Sequence, residues 1–507
     1  MLTKSDPDEI QSFLADASYL RGGHVERVAF PETAAEVAAI LTQASKDKTQ
    51  VTVSGAGTGT VGGRVPFGGI VLATEKLSQI KSLIHEDAGG RGVAEAGVRL
   101  IDFQQFVRAQ GLLYPPDPTE RSCFLGGTVA TNASGARSFK YGPTRKYVQR
   151  LKVVLAQGEV LDLRRGEIKA DETGQIRVPL PSGQAIQCQL PEYQMPQVRK
   201  HASGYYVEPG MDVLDLFVGS EGTLGVIVEV EVALIRRPER LISGIVFFPS
   251  DEQLLAFVRE ARSRSLRTRS TGSQLGKGEA EVDARALEYF DDQSLGFLRQ
   301  KYEAVPANAA GAVFFEQESE VATEDSLMRQ WLTLLESNGA LVDDSWFALN
   351  EQEQEKLREF RHQLPVLMNE WFARHRQRKV STDMAVPDQN FADLLRCYKE
   401  TLMSSNLRYT IFGHIGDNHV HVNILPRNDQ EASAARDIYQ AFVRRALELG
   451  GTVSAEHGIG KLKRDYLKQM YGNPQLKAMA RLKVAFDPAG ILGRGNIFSE
   501  DYLHELN

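Results

Sequence analysis

The sequence predicts an α+β fold divided into two or three compact units, and three observations carry that prediction. At 507 residues the chain is longer than one hydrophobic core serves. Residues 51 to 235 read as short strands punctuated by glycine turns, whereas from residue 244 onward strands alternate with helices. Between the two regimes lies RRPER, 236 to 240, charged and proline-containing, which marks a domain boundary.

The first element is a helix over 33–46, because Thr33 and Glu36 have capping-box spacing and Val37, Ile40 and Leu41 recur at helical intervals. In LKVVLAQGEVLDL, 151 to 163, Gln157-Gly158 turns a hairpin. VIVEVEVALI places Val226, Val228, Val230, Val232 and Leu234 on one face and Glu229 and Glu231 on the other, the pattern of a half-buried strand. Past the boundary come the strand GIVFF (244 to 248), the helix EQLLAFVREARSR, the strand GAVFFEQE, a helix near 324–338 and a strand near 341–347. A second set follows: strand 379–386, helix 388–404, paired strands around GHIGDNHVHVN (413 to 423) and a helix near 429–449. Two β-α-β units followed by strand pairing predict a sheet with helices on one side.

Bulk properties exclude several functions. Hydrophobic residues at 42% and charged residues at 25% are those of a folded chain. A net charge of −7 argues against nucleic acid as partner. Cys123, Cys188 and Cys397 are too widely separated for a zinc ribbon or an iron–sulfur motif, so electrons need another carrier. The start MLTKSDPDEI lacks a basic-then-apolar leader, and no apolar run approaches the roughly 18 residues of a transmembrane segment, so a cytoplasmic location is expected, with peripheral membrane association left open. Of two arginine-rich runs, 259–269 reads as a solvated helix end, while RHRQRK (374 to 379) precedes a strand of the histidine-bearing unit and can attract an anionic substrate.

The chemistry-bearing stretches begin with VTVSGAGTGTVGG (51 to 63). Gly57-x-Gly59-x-x-Gly62, with Glu75 18 residues after Gly57, imitates a dinucleotide fingerprint. That fingerprint needs a helix opened by its third glycine, and Gly62 is followed instead by GRVPFGG. The loop reads as one that lets backbone N–H groups approach a phosphate without a helix. PPDPTERSCFLGGTVATNASGARSFKYGPTRKYV (115 to 148) is rich in small residues against which a flat ligand can lie, and GSEGTLGVI (219 to 227) has the same character. In GHIGDNHVHVN a hairpin through Gly416-Asp417 brings His414 near a second strand on which His419 and His421 share a face, and geometry alone does not choose between those two.

With these loops, and with GGTVSAEHGIGKLKRDYL (450 to 467) and DPAGIL (487 to 492), the chain resembles the FAD-binding family named after vanillyl-alcohol oxidase and p-cresol methylhydroxylase, from about residue 25 to the C-terminus. Within it the chain is similar to the D-lactate, D-2-hydroxyglutarate and glycolate dehydrogenases, whose signature reads GHxGDGNxH followed by SAEHG. The resemblance implies an FAD-binding domain of two α+β subdomains (1–238), a ferredoxin-like antiparallel-sheet substrate cap (239–455) and a C-terminal segment (456–507) returning to the flavin. By position, Ser54, Gly55, Ala56, Gly57, Thr58, Gly59 and Gly62 would face the pyrophosphate, and Pro116, Thr128, Thr131, Asn132 and Ser134 would lie along FAD. Glu221, Gly225 and Ile227 would line its other side, and Asn496 would approach from the C-terminal segment. Some relatives carry a flavin-linking histidine where this chain has Thr58, so non-covalent FAD is expected.

The resemblance also selects His414, His421 and Glu456 as ligands of a divalent metal, a set suited to Zn²⁺, Mn²⁺ or Fe²⁺. Where the family has Gly-Asn this chain has Asn418-His419, so His419 is extra and its role is open. His457 is the expected base, Arg361 of REFRHQLP the clamp for a substrate carboxylate by two hydrogen bonds, and Asn423 a further substrate contact. Lys379 lies near a family lysine but two positions out of register with DMAVP, and is left outside the set. The expected activity is oxidation of a D-2-hydroxy acid, with an electron-transfer flavoprotein, a quinone or oxygen as the separate acceptor. The alternatives are a metal-independent glycolate-type enzyme and a flavin-binding module without turnover.

Overall fold

The computed structural model describes residues 2–271 and 280–506. Near its N-terminus the predicted helix spans Ala34–Asp47, with the Thr33 side chain accepting from the Glu36 amide and the Glu36 carboxylate accepting from the Glu32 amide. It crosses between the parallel strands Arg27–Phe30 and Val51–Ser54, with Ile70–Ala73 inserted between them and Leu2–Lys4 antiparallel at the edge. The glycine loop 55–69 therefore leaves the C-terminal end of a parallel strand, the usual ligand-binding end of such sheets. No helix interrupts it.

An antiparallel sheet follows, in the order Ile80–Glu86, Gly89–Glu95, Val226–Arg236, Val148–Val154 and Val160–Arg164, with Leu112–Leu113 pairing at the end of the long central strand. The hairpin turns at Gly158, whose φ of 90° suits glycine. The central strand is not half-buried as its alternation predicts. Glu229 and Glu231 are themselves buried, because basic side chains of neighbouring strands cover them: Lys81 lies 2.5 Å and Arg150 2.7 Å from Glu229, and Arg91 lies 3.0 Å from Glu231.

The third sheet has seven antiparallel strands in the order Trp346–Ala348, Arg240–Phe248, Gly311–Ser319, Ala284–Asp291, Tyr409–Gly413, His421–Ile424 and Val380–Ser381. Helix Asp251–Thr271 links two strands separated by a third, and Phe391–Ser405 repeats that connection in the second half, so split β-α-β units meet edge to edge. The expected strand 341–347 is shorter, a 3₁₀ turn at Val342–Asp344 followed by Trp346–Ala348, and 379–386 pairs only at Val380–Ser381 and Ala385.

Helices cover both faces of this sheet, not one. Val313 and Phe315 pack toward Phe257 and Trp331 of helices Asp251–Thr271 and Glu324–Ser337, while Ala312 and Phe314 pack toward Leu357, Phe360 and Leu364 of helix Glu351–His375. GAVFFEQE is apolar in both phases of its alternation, so each face needs its own cover. The second face carries chemistry. Glu288 and Phe290 share it on one strand, and Phe412 pairs with both Phe290 and His421, so His421 and Asn423 project from the same side.

The C-terminal stretch returns to the first sheet, where the Val51 amide donates to the Ile491 carbonyl and the Gly493 amide to the Val51 carbonyl. Helical segment Arg464–Phe486, kinked at Gly472 (φ 76°, ψ 165°), delivers Lys483 to this junction. Its buried ammonium donates to Asp487, Thr223 O and Leu492 O. Among the described residues no helix is long and apolar enough to cross a membrane. Replacing Lys483 by Met leaves the Asp487 carboxylate buried without its cation, and is expected to cost about 3–5 kcal/mol, read as a lower midpoint of chemical denaturation; an unchanged midpoint would show that the junction does not need the pair.

Candidate functional site

Two compartments adjoin. The first is an open cleft of ≈ 1040 Å³, mouth included, walled by the glycine loop, residues 124–133 and residues 221–227. Of the residues expected along a cofactor, Gly55, Ala56, Gly57, Thr58, Gly59, Thr128, Thr131, Glu221, Gly225 and Ile227 line it. Ser54, Gly62, Pro116, Asn132, Ser134 and Asn496 do not, and most of these brace the wall. Ser54 Oγ accepts from Arg64, Pro116 O accepts from Gln104, Asn132 Oδ1 accepts from the Arg145 amide, and Asn496 donates to Gly63 O and Glu221 O. A Cβ built on Gly59 or Gly127 meets no protein atom within 4 Å, so both present bare backbone to open space. Arg64 is the one cationic side chain in the lining, and its N–H groups go to Ser12 O, Ala15 O, Gly55 O and Ser54 Oγ. An anionic ligand here is therefore met mainly by backbone amides.

Glu221 has the positive φ of 53° and closes the cleft from below. Its carboxylate accepts from the Ile459 amide at 2.7 Å and the Gly460 amide at 2.6 Å, clasping the C-terminal stretch. Burial pushes its pKa up to about 7 in spite of those two donors and nearby Lys463 and Lys461.

The second compartment is a buried cluster. Strands Tyr409–Gly413 and His421–Ile424 pair as predicted, but His419 lies in their connection, not on a strand. Asn418 takes φ 54° and breaks the alternation that would have set His419 beside His421. The rings still converge, with centroids of His419 and His421 4.5 Å apart and those of His414 and His421 5.7 Å apart. At their centre is Glu456, whose Oε2 lies 3.3 Å from His414 Nε2, 3.6 Å from His421 Nε2 and 4.0 Å from His419 Nδ1. Its other oxygen accepts from Lys200 Nζ at 2.6 Å and Ser134 Oγ at 2.8 Å.

Behind the imidazoles stand acceptors. His414 Nδ1 is 2.6 Å from Glu288 Oε1, and His421 Nδ1 is 2.8 Å from Thr382 O. Burial disfavours charge on both Glu456 and Glu288, yet His414 with Lys200 holds Glu456 well below the usual carboxylate range, and Arg361 with His414 holds Glu288 at about 2. His414 is raised to about 9, because Glu288 and Glu456 overcome the burial that opposes its charge. Burial instead lowers His421, and lowers His419 to about 3. Four carboxylates (Glu288, Asp383, Asp417, Glu456) meet three fixed cations (Lys200, Arg361, Lys463) and the raised His414 imidazole, whose proton a divalent ion would have to displace. Two or three buried imidazoles beside such a carboxylate fit a divalent metal.

His457 connects the compartments. It lines the cleft, while Glu456 before it belongs to the cluster. Its Nδ1 is 3.2 Å from Asp383 Oδ2, which also accepts from Lys463 Nζ at 2.6 Å.

Residues 277–497 match the family model described as FAD linked oxidases, C-terminal domain, and residues 25–164 match that of an FAD binding domain. The D-lactate dehydrogenase of Anaerostipes hadrus is 31% identical over 476 residues, covering 91% of this chain and 87% of that one. The chain belongs to the FAD-linked oxidase family. It is an FAD-linked oxidoreductase among the 2-hydroxy-acid dehydrogenases and oxidases. The glycolate oxidase subunit GlcD of Bacillus subtilis is 27% identical over 481 residues, covering 94% of this chain and 89% of that one. A solved alkyldihydroxyacetonephosphate synthase superposes with a TM-score of 0.64 over 97% of this chain and 82% of that one, and at 14% identity shows the shared fold alone.

In this FAD-linked oxidase Arg361 departs from its expected geometry. Nε and Nη2 both hold Glu288 Oε2 at 2.8 Å, so the two-bond grip on a substrate is already occupied, and Nη1 remains, 3.3 Å from His362 Nε2. Asn423 is buried, two residues from His421 on the same face. The basic run 374–379 runs past a helix end with mostly exposed side chains, and its last residue, Lys379, directly precedes Val380–Ser381, the strand paired with Ile424 and Asn423. Sequence reasoning missed Lys200, Glu288 and Asp383. Glu288 alone had a signal, an acid in the buried phase of ALEYFD.

Because the protein alone leaves the space at Gly127 open, Gly127→Val is expected to fold normally yet to clash with the flavin by about 1–3 kcal/mol, leaving purified protein with about 5- to 150-fold weaker FAD affinity. Flavin absorbance per protein, with circular dichroism as the folding check, measures this; full flavin content would remove the cleft as the cofactor site.

Proposed function

We propose that this enzyme oxidises a small D-2-hydroxy acid, of D-lactate or D-2-hydroxyglutarate type, to the 2-oxo acid with non-covalent FAD and a divalent ion held by His414, His421 and Glu456. The observation that supports it most strongly is the adjacency of Glu456 in the imidazole cluster and His457 in the cleft wall, which sets a cation site and a proton acceptor one residue apart. When bound, FAD would accept the hydride leaving C2, and with it both electrons of the oxidation, and the cation would acidify the hydroxyl, as metal-bound water falls from a pKa near 16 to roughly 7.

The chain's own residues do the rest. Asp383, held well below the usual carboxylate range by His457 and Lys463 against the effect of burial, fixes the Nδ1 side of His457 and leaves the other ring nitrogen to take the hydroxyl proton. Arg361 offers its Nη1 edge to the substrate carboxylate while Glu288 keeps the other edge oriented. Asn423 adds a polar contact beside His421. The lack of any flavin-linking histidine in the glycine loop, where Thr58 lines the cleft, supports dissociable FAD. The cap's split β-α-β units fit the ferredoxin-like description, and a separate flavoprotein, quinone or oxygen takes the electrons onward.

Under anaerobic conditions D-lactate or D-2-hydroxyglutarate is expected to bleach the flavin, with L-lactate inert, in a panel that includes glycolate and D-malate; a flavin bleached by none of the five rejects the proposal. His457→Ala is expected to slow bleaching by about 10²–10⁴-fold at unchanged metal content. Chelator treatment should abolish turnover, with recovery on adding Zn²⁺ or Mn²⁺, and turnover that survives the chelator would favour the metal-independent, glycolate-type reading.

A further inference from the structure

We propose that His419 is a fourth protein ligand of the divalent ion, beside His414, His421 and Glu456; this deepens the metal-assisted reading and rests on it. His419 is fully buried, and neither of its ring nitrogens makes a hydrogen bond of good geometry, Nδ1 having no acceptor or donor and Nε2 only Asp383 Oδ1 at 3.4 Å. A histidine kept only for packing would be expected to satisfy at least one of them, because an unpaired buried polar atom forfeits its hydration without return.

Its placement repeats that of the two neighbouring rings. His414 turns Nε2 toward Glu456 Oε2 and has Glu288 behind Nδ1; His421 turns Nε2 toward the same oxygen and has Thr382 O behind Nδ1. His419 turns Nδ1 toward that oxygen, at 4.0 Å, and has Asp383 Oδ1 3.4 Å from Nε2. An acceptor behind the ring fixes the tautomer and raises the basicity of the nitrogen left for a cation. The candidate ligand atoms of all four residues lie within 4.8 Å of one another. With four protein ligands and a fifth position left for the substrate hydroxyl, bonds of about 2.0–2.1 Å set neighbouring ligand atoms roughly 2.9–3.6 Å apart, so the separations of 3.3 and 3.6 Å already fit and that of 4.0 Å has to close. Asparagine, which stands here in the signature the chain resembles, offers a weaker amide ligand.

The test uses the FAD-loaded protein, stripped by chelator and titrated with Zn²⁺ by calorimetry, as wild type, His419→Asn, His419→Gln and His421→Ala. Both His419 variants are expected to bind Zn²⁺ at least about tenfold more weakly than wild type at unchanged flavin content. Equal affinity in these variants alongside weakened binding in His421→Ala overturns the inference and leaves the metal reading standing. Wild type that takes up no Zn²⁺, or a His421→Ala protein that binds like wild type, overturns both. A zinc K-edge absorption spectrum of the wild type reads the site without any substitution: imidazole scattering from three rings is expected, and two rings would exclude His419.

Discussion

Everything in the active region is arranged around one buried carboxylate. Glu456 takes Ser134 and Lys200 from the part of the chain that precedes the seven-stranded sheet and His414 and His421 from that sheet and its connection, and it belongs itself to the stretch that returns to the first sheet. A carboxylate cut off from water is costly unless cations and donors surround it, and here no single region supplies enough of them. Three parts of the chain must therefore close on one point. The distance between the imidazole cluster and the cleft is then set by a single peptide bond, that joining Glu456 to His457.

The second layer of contacts divides the labour. Glu288 orients His414 and keeps Arg361 in place, Asp383 orients His457 and receives Lys463, and Thr382 O orients His421. Each of these rings thereby has one nitrogen engaged from behind, which fixes its orientation. The carboxylates around the imidazoles suit the pocket to a cation, while the cleft relies on backbone amides and suits an anionic cofactor. The two preferences stand only one residue apart, at Glu456 and His457.

Much of the fold was legible where a local pattern answers to a local cause. The capping box at Thr33 and Glu36, the hairpin at Gly158 and the helices starting near 324, 391 and 429 all depend on neighbours in sequence. The long helix Glu351–His375 was hidden because Pro365 sits in its middle, with no N–H for the Arg361 carbonyl, and Leu357, Phe360, Leu364 and Met368 carry the helical spacing across that break. The covering of both sheet faces was hidden because strands apolar in both phases show no alternation. In the site, the histidine motif and SAEHG announced themselves, whereas Lys200 and Asp383 are single residues whose importance comes from Glu456, 256 positions on, and from His457, 74 positions on. Arg361 shows the limit from the other side: its position was readable, but its prior engagement with Glu288 was not.

Anomalous diffraction from a crystal of the enzyme grown with its cation, recorded at the metal's absorption edge, tests the account most directly. The account predicts one peak inside the cluster, about 2.0–2.2 Å from His414 Nε2, His421 Nε2 and Glu456 Oε2. A fully occupied peak elsewhere, or none here with the cation in excess, would contradict it.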